Sequence, residues 1–541
     1  MTEGQKKNET GYRKEMSTWT AMFLAVGAIL GPAIAFSPVQ VLGYGGPAGV
    51  IAWIVALILI YPLAMIYAEM GTMWPRGGGL AYYPLESNGP LVGVLNGWGN
   101  FFGYTLAVPS IVVALVDYLG SVYAPLTASN GNLTTLGIII TIITLLIIFV
   151  INNFRIKHLG QINNIMTILT IILIIVFAGA FLIHYNPANF NRVEWKGVAP
   201  LGASGFFIAI TATIYGYGGF RHPVDYAEEV KDPGRSIPRA VSGTMIIVAI
   251  IYIVESLAFL GVLSSSGSGF SFTGDWSSLA LNTSPYVDAA KGFAGPAFVA
   301  VAIVALIATL IASFKDGVLF FGGGSRVGHN LARDGRFFPP TLSKMNKVGI
   351  PFASNVLVLI ISIIFILIMP SFKALALLVA VGLVISYMPG ALSVAILRKV
   401  FPDEKRPYKI PLVKISSPFS FAIASLLVFW SGWEATLVIV VAMFVGLVFL
   451  IEYQRGKGLQ PGDIKYGVWL PIFLLAMLAV TYFDQFYLAV WYPNNGVFFG
   501  TAIFVAVSLV FYYWGYYAGI AYHKNRKVKR LVPIKEDEEL A

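Results

Sequence analysis

Apolar runs about as long as a bilayer is thick recur along nearly the whole 541-residue chain, and no other feature restricts its fold as strongly. A run of about 20 such residues spans the ~30 Å hydrocarbon layer as a helix. Lipid offers no partner for backbone N–H and C=O groups, so each run must pair its own, and a helix does. Fourteen candidate spans can be drawn, at roughly 19–39, 48–70, 91–123, 133–152, 162–183, 203–228, 240–263, 293–322, 352–369, 373–397, 416–432, 434–452, 466–483 and 497–521. Charged residues make up only 11% of the chain, against about 25% in a soluble domain. The fold class expected is an all-α multi-pass membrane protein.

A net charge of +10 invites a nucleic-acid reading, but the positions of the charges decide against it. With the N-terminus in the cytoplasm, 30 of the 36 lysines and arginines fall in the tails or between spans on that side. Four fall outside: Arg192, Lys196, Lys291 and Lys373. This is the positive-inside pattern. It predicts a plasma-membrane protein with both termini cytoplasmic, a lipid bilayer as partner and no nucleic acid. The absence of cysteine excludes disulfides and thiolate chemistry. The chain has no GxxxxGK(S/T) phosphate loop and no HExxH pair, and its five histidines are scattered. Neither an enzyme nor a resident cofactor is expected.

Two spans carry breakers where a helix should run unbroken. The first, TAMFLAVGAILGPAIAFSPV, contains Gly27, Gly31 and Pro32; proline removes a donor and clashes with the preceding turn, so a break near Gly31 and Pro32 is predicted. The sixth, ATIYGYGGFRHPVDYAEEV, loosens at Gly216, Gly218 and Gly219 just before Arg221. Small residues also let helices approach closely, but adjacent glycines beside a charge at membrane depth point to a cavity lining. Spans one to five (19–183) and six to ten (203–397) form two sets, and because five is odd the second enters the membrane upside down. The expected architecture is two inverted five-helix repeats, broken in helices 1 and 6, followed by about four further helices (416–521) and flanked by tails at 1–18 and 522–541. Paired breaks of this kind surround the midplane site of secondary transporters. Half-helix N-termini at the breaks suit a carboxylate.

Other polar groups lie inside or at the ends of spans. Glu255 stands isolated in the seventh, and Ser313, Lys315 and Asp316 lie within the eighth. Lys315 and Asp316 are adjacent, point about 100° apart and need not pair with each other. Asn163, Asn164, Thr167 and Thr170 give the fifth span a polar face, which interhelical hydrogen bonding alone could explain. Glu69, near the cytoplasmic end of the second, reads as a solvated end-of-helix charge.

Five stretches in order resemble the amino acid/polyamine/organocation transporter superfamily, in particular its amino acid permeases. They are GAILGPAI (Gly27–Ile34), YAEMGTMWPRGGGLAYY (Tyr67–Tyr83), AEEVKDPGRSIPRA (Ala227–Ala240), SRVGHNLARDGRFFP (Ser325–Pro339) and LRKVFPDEKRPYKIPLV (Leu397–Val413). The resemblance implies alternating access, with an amino acid held between the broken helices. Its carboxylate would meet backbone at Ala28, Ile29, Gly31, Pro32 and Ala33. Its amino group and cover would come from Tyr215, Gly216, Tyr217, Gly218, Gly219 and Phe220. Arg221 stands where many relatives have an acidic or small residue, which disfavours a cationic substrate and leaves room for an anionic one. Thr170 stands where some proton-coupled relatives carry a lysine. The function expected is import of amino acids or related small organic solutes, coupled to a proton or sodium gradient. Glu255, Ser313, Lys315, Asp316 and Thr170 are the ion-coupling candidates, with a sodium site at the Ala28 backbone and Ser313 as the metal option. An amino acid exchanger or a non-transporting nutrient sensor of the same fold is the alternative.

Overall fold

The computed structural model describes residues 14–128, 131–154, 156–265, 268–279, 282, 284–333, 337–346, 349–492 and 496–526. The expected tails lie outside these residues, apart from 14–18 and 522–526. The chain is helical almost throughout. Its first half runs α1 (Thr18–Ile29), α2 (Ala33–Gly45), α3 (Gly49–Met73), α4 (Gly79–Asn88), α5 (Pro90–Gly120), α6 (Thr135–Ile151), α7 (Ile156–Ile183), α8 (Gly202–Tyr217), α9 (His222–Asp225) and α10 (Pro233–Gly261). A loop bearing two paired two-residue strands and the short helices α11 (Trp276–Leu279) and α12 (Pro285–Lys291) leads to α13 (Pro296–Arg333). Then follow α14 (Phe352–Ile368), α15 (Phe372–Ile385), α16 (Met388–Val400), α17 (Val413–Phe429), α18 (Trp433–Val445), α19 (Phe449–Lys457), α20 (Pro461–Lys465), α21 (Trp469–Phe483), α22 (Ala489–Trp491) and α23 (Gly496–Arg526).

Among the described residues, eight helical stretches are long and apolar enough to cross a membrane, and four shorter apolar helices accompany them. Every expected span falls on one helix or on two consecutive ones. Burial separates the centre from the lipid side. α5 is buried along most of its length and packs on both α13 and α15, whereas α7 exposes Ile165, Ile168, Ile172 and Ile175. An apolar residue facing outward is at no disadvantage where the surroundings are hydrocarbon.

The breaks fall where the breakers are. α1 closes with the Leu30 N–H on the Val26 carbonyl, Gly31 and Pro32 stand between the helices, and α2 restarts at Ala33. α8 gives way to a 3₁₀ turn over Gly218–Arg221 before α9. A third interruption was not foreseen: the tenth span divides at Ser386 and Tyr387, just ahead of Pro389. The glycine-rich stretch after α3 also holds a helix, α4, entered through Gly78 in the left-handed region (φ 61°), which glycine adopts at little cost.

Candidate functional site

The two broken helices meet. A Cβ on Gly219 would lie 3.0 Å from the Ala28 carbonyl carbon and oxygen, so this contact needs a glycine. Where α1 stops, its last carbonyls lose their intrahelical partners and must be paired otherwise. Neighbouring helices supply the donors. Lys315 Nζ of α13 donates to Gly27 O at 2.6 Å and to Leu30 O at 2.7 Å, and the Tyr252 hydroxyl of α10 donates to Ile29 O at 2.9 Å. Asp316 follows Lys315 and turns its carboxyl onto Gly31, so closely that a Cβ there would fall on it. Asp316 Oδ1 and Ser313 Oγ are buried with no hydrogen-bond partner.

The sixth-span residues wrap the same place. Tyr217 donates its hydroxyl to Trp53 O at 3.0 Å, Gly216 packs on the Trp53 and Tyr252 rings, and Tyr215 meets Phe372 edge-on. Phe220 lies against the Tyr387 ring, and Tyr387 donates to Gly218 O at 3.1 Å.

Arg221 is fully buried. Its Nε donates to Asp225 Oδ2 at 2.9 Å, and the same oxygen accepts from the Tyr104 hydroxyl at 2.8 Å. The guanidinium stacks over the Tyr104 ring at 4.1 Å, with the Tyr387 ring 5.5 Å away. Neither Nη atom has a hydrogen-bond partner. A buried cation with two unused donor groups is costly unless something accepts from them, and guanidinium geometry matches a carboxylate. Tyr104, Asp225 and Tyr387 thus surround the Arg221 guanidinium, and none of them was assigned to the site from the sequence. The only local signal for Tyr387 was Pro389 inside an apolar span.

The remaining candidates stand apart. Glu255 is buried on α10 with both carboxyl oxygens unpartnered. Thr170 donates to Met166 O of its own helix. The polar face of α7 instead reaches α1 through Asn163 Nδ2, which donates to Phe23 O at 3.1 Å. On either side of Ala28, the Gly27 and Ile29 carbonyls are already taken by Lys315 and Tyr252.

Four of the five family-like stretches converge at one end of the bundle. Glu229 pairs with Arg326 at 2.6 Å, Glu228 with Arg333 at 2.8 Å, and Gly77 N–H donates to Glu228 Oε1 at 2.9 Å. Glu69 is not a solvated charge. It is buried, accepts from Arg398 Nε and Nη2 at 2.7 and 2.5 Å and from the Ile410 N–H at 2.8 Å, and has Arg406 3.8 Å away. A carboxylate can stay buried when charged donors satisfy its oxygens, and these donors come from the last turn of α16 and the loop after it.

The family model for amino acid permeases matches residues 16–434. The chain belongs to the amino acid permease family. The permease is thus a multi-pass membrane protein that transports amino acids, and its family consists of transporters rather than enzymes. It is 29% identical over 523 residues to the glutamate/serine transporter AimA of Bacillus subtilis (strain 168), covering 94% of each chain. It is 30% identical over 521 residues to the aspartate-proton symporter of the same organism, covering 94% of the permease and 97% of the relative. The branched-chain amino acid permease BcaP of that organism is 26% identical over 465 residues, covering 83% of the permease and 94% of the relative.

Proposed function

We propose that the permease imports acidic amino acids by alternating access and is driven by protons. The observation that carries this reading is the buried Arg221 with both Nη atoms unpartnered. A side-chain carboxylate would accept from them, at a position two residues beyond the Gly219 contact with Ala28. The α-carboxylate would take the free backbone donors where α2 begins, at Gly31 and Ala33, with Ala28, Ile29 and Pro32 shaping the break. The α-ammonium would meet the unpartnered Asp316 oxygen, and Tyr215, Gly216, Tyr217, Gly218 and Phe220 would cover the ligand. Two relatives named for glutamate and aspartate support an acidic substrate.

Proton coupling is assigned to Lys315. A charged lysine has three N–H donors, and two already hold the first-helix break. Loss of a proton would leave two N–H donors but remove the charge that strengthens both bonds, so the lysine links protonation to the geometry of the break. The name of one relative, a proton symporter, supports this reading over sodium. The repeats at 19–183 and 203–397 are taken as the moving halves, in a plasma membrane with both termini cytoplasmic.

Counterflow in proteoliposomes tests the substrate class. Vesicles preloaded with one unlabelled amino acid at a time should take up labelled glutamate when the load is glutamate or aspartate and not when it is lysine. No uptake of labelled glutamate into vesicles loaded with either acid, while labelled lysine exchanges for unlabelled lysine in the same preparation, would overturn the reading.

A further inference from the structure

Far from the breaks, the first two turns of α8 face the C-terminal helices across a cavity of about 540 Å³. Its lining combines the Phe207, Trp430 and Tyr492 rings with the polar groups of Ser204, Asp484 and Gln485. Phe207 and Trp430 stack at 4.7 Å and form an aromatic wall. Asp484 opens a π-helical turn, Asp484–Leu488, at the end of α21, and such turns often mark functional positions.

Asp484 makes no hydrogen bond, and its Oδ1 is buried against Gly500 of α23. The nearby acid is committed elsewhere: Glu434 accepts from Gln485 Nε2 at 3.2 Å, and Gln485 Oε1 accepts from the Trp433 N–H. None of the described lining residues is basic. An unpaired carboxylate inside a membrane crevice calls for a cation. Depth indicates where the cation sits. α17 and α21 end here, α8 and α23 begin here, and Tyr482, Phe486, Tyr487, Trp491 and Phe498 present exposed rings at the same level. Such an aromatic belt marks the headgroup layer.

We propose that this crevice is a second, non-substrate site that binds a primary ammonium group, carried by an ethanolamine-type phospholipid headgroup. Asp484 supplies acceptors and no donor, so the cation must bring its own N–H groups. A quaternary ammonium such as choline has none. The aromatic wall adds attraction for a cation, and the apolar flanks accommodate the start of the acyl chains. Phe207 of the wall belongs to α8, whose other end is the break at Gly218, so an occupied crevice would brace the outer leg of that helix.

The test uses the full chain in nanodiscs of phosphatidylcholine, with and without phosphatidylethanolamine, followed by thermal unfolding. Phosphatidylethanolamine should raise the melting temperature, and Asp484→Asn should abolish the rise. Ser204→Phe, which fills the cavity without touching the carboxylate, should abolish it too, so instability of one variant leaves the other to decide. A third sample holds soluble glycerophosphoethanolamine with phosphatidylcholine discs. A rise there, with none from the lipid, would keep the ammonium site but overturn the lipid as its source. Equal melting in both lipids with no response to the soluble probe, or a rise that survives both substitutions, would overturn the site.

Discussion

Lys315 and Gly27 are joined across α13 and α1 by a 2.6 Å hydrogen bond from the lysine Nζ to the glycine carbonyl oxygen. The same Nζ reaches Leu30 O, so one side chain spans the last turn of α1 and the start of its break. Replacing Lys315 by methionine leaves two buried carbonyls unpaired, at about 1–3 kcal/mol each. Lys315→Met should lose accumulation driven by an inwardly directed proton gradient while retaining slow counterflow. Uptake in proteoliposomes with an alkaline interior checks this, and accumulation at the wild-type level would remove Lys315 from coupling.

Gly31 has no room for a side chain, because a Cβ would fall on the Asp316 carboxyl. Gly31→Ala should therefore abolish uptake although the change is one methyl group. Gly179 has nothing within 4 Å of an added Cβ, so Gly179→Ala should shift stability by less than about 1 kcal/mol. Paired transport and thermal-unfolding measurements on the two variants compare a site glycine with a spectator.

The buried Glu69 with Arg398 offers a double-mutant cycle. Removing Glu69 leaves Arg398 without its carboxylate, and removing Arg398 leaves Glu69 with the more distant Arg406, so each change should destabilise by about 3 kcal/mol. The double variant should lose much less than the sum of the two. Additive losses in detergent unfolding would mean that the pair contributes nothing as a pair.

Tyr387 holds Gly218 O through its hydroxyl and flanks the Arg221 guanidinium with its ring. Tyr387→Phe keeps the ring and loses a hydrogen bond worth about 1 kcal/mol. A several-fold rise in KM for glutamate with unchanged protein yield is the expected outcome, and an unaltered KM would place Tyr387 outside the site.

What the sequence revealed and what it hid follow from the range of each interaction. The break at Gly31 and Pro32 was legible because proline cannot supply the N–H that a continuing helix needs. The sixth-span break was legible because Gly218 and Gly219 adjoin a charge. Glu69 was misread because its partner, Arg398, lies 329 residues away and no local pattern announces it. Lys315 could be placed inside the bundle, but its bonds to Gly27 and Leu30 depend on how α13 packs on α1. The helix at Gly79–Asn88 was hidden because the glycines and proline before it are turn residues.

Arg221 carries the central claim, and its measurement is a specificity ratio. Uptake of glutamate relative to glutamine should be compared in the wild type and in Arg221→Gln combined with Asp225→Asn, so that no lone carboxylate is left buried. A charge-assisted contact is worth about 1.5–3 kcal/mol, so the wild type should prefer glutamate by about 10- to 100-fold. The double variant should lose that preference while still entering the membrane. An unchanged ratio in a folded variant would contradict the assignment of Arg221 as the group that reads the substrate carboxylate.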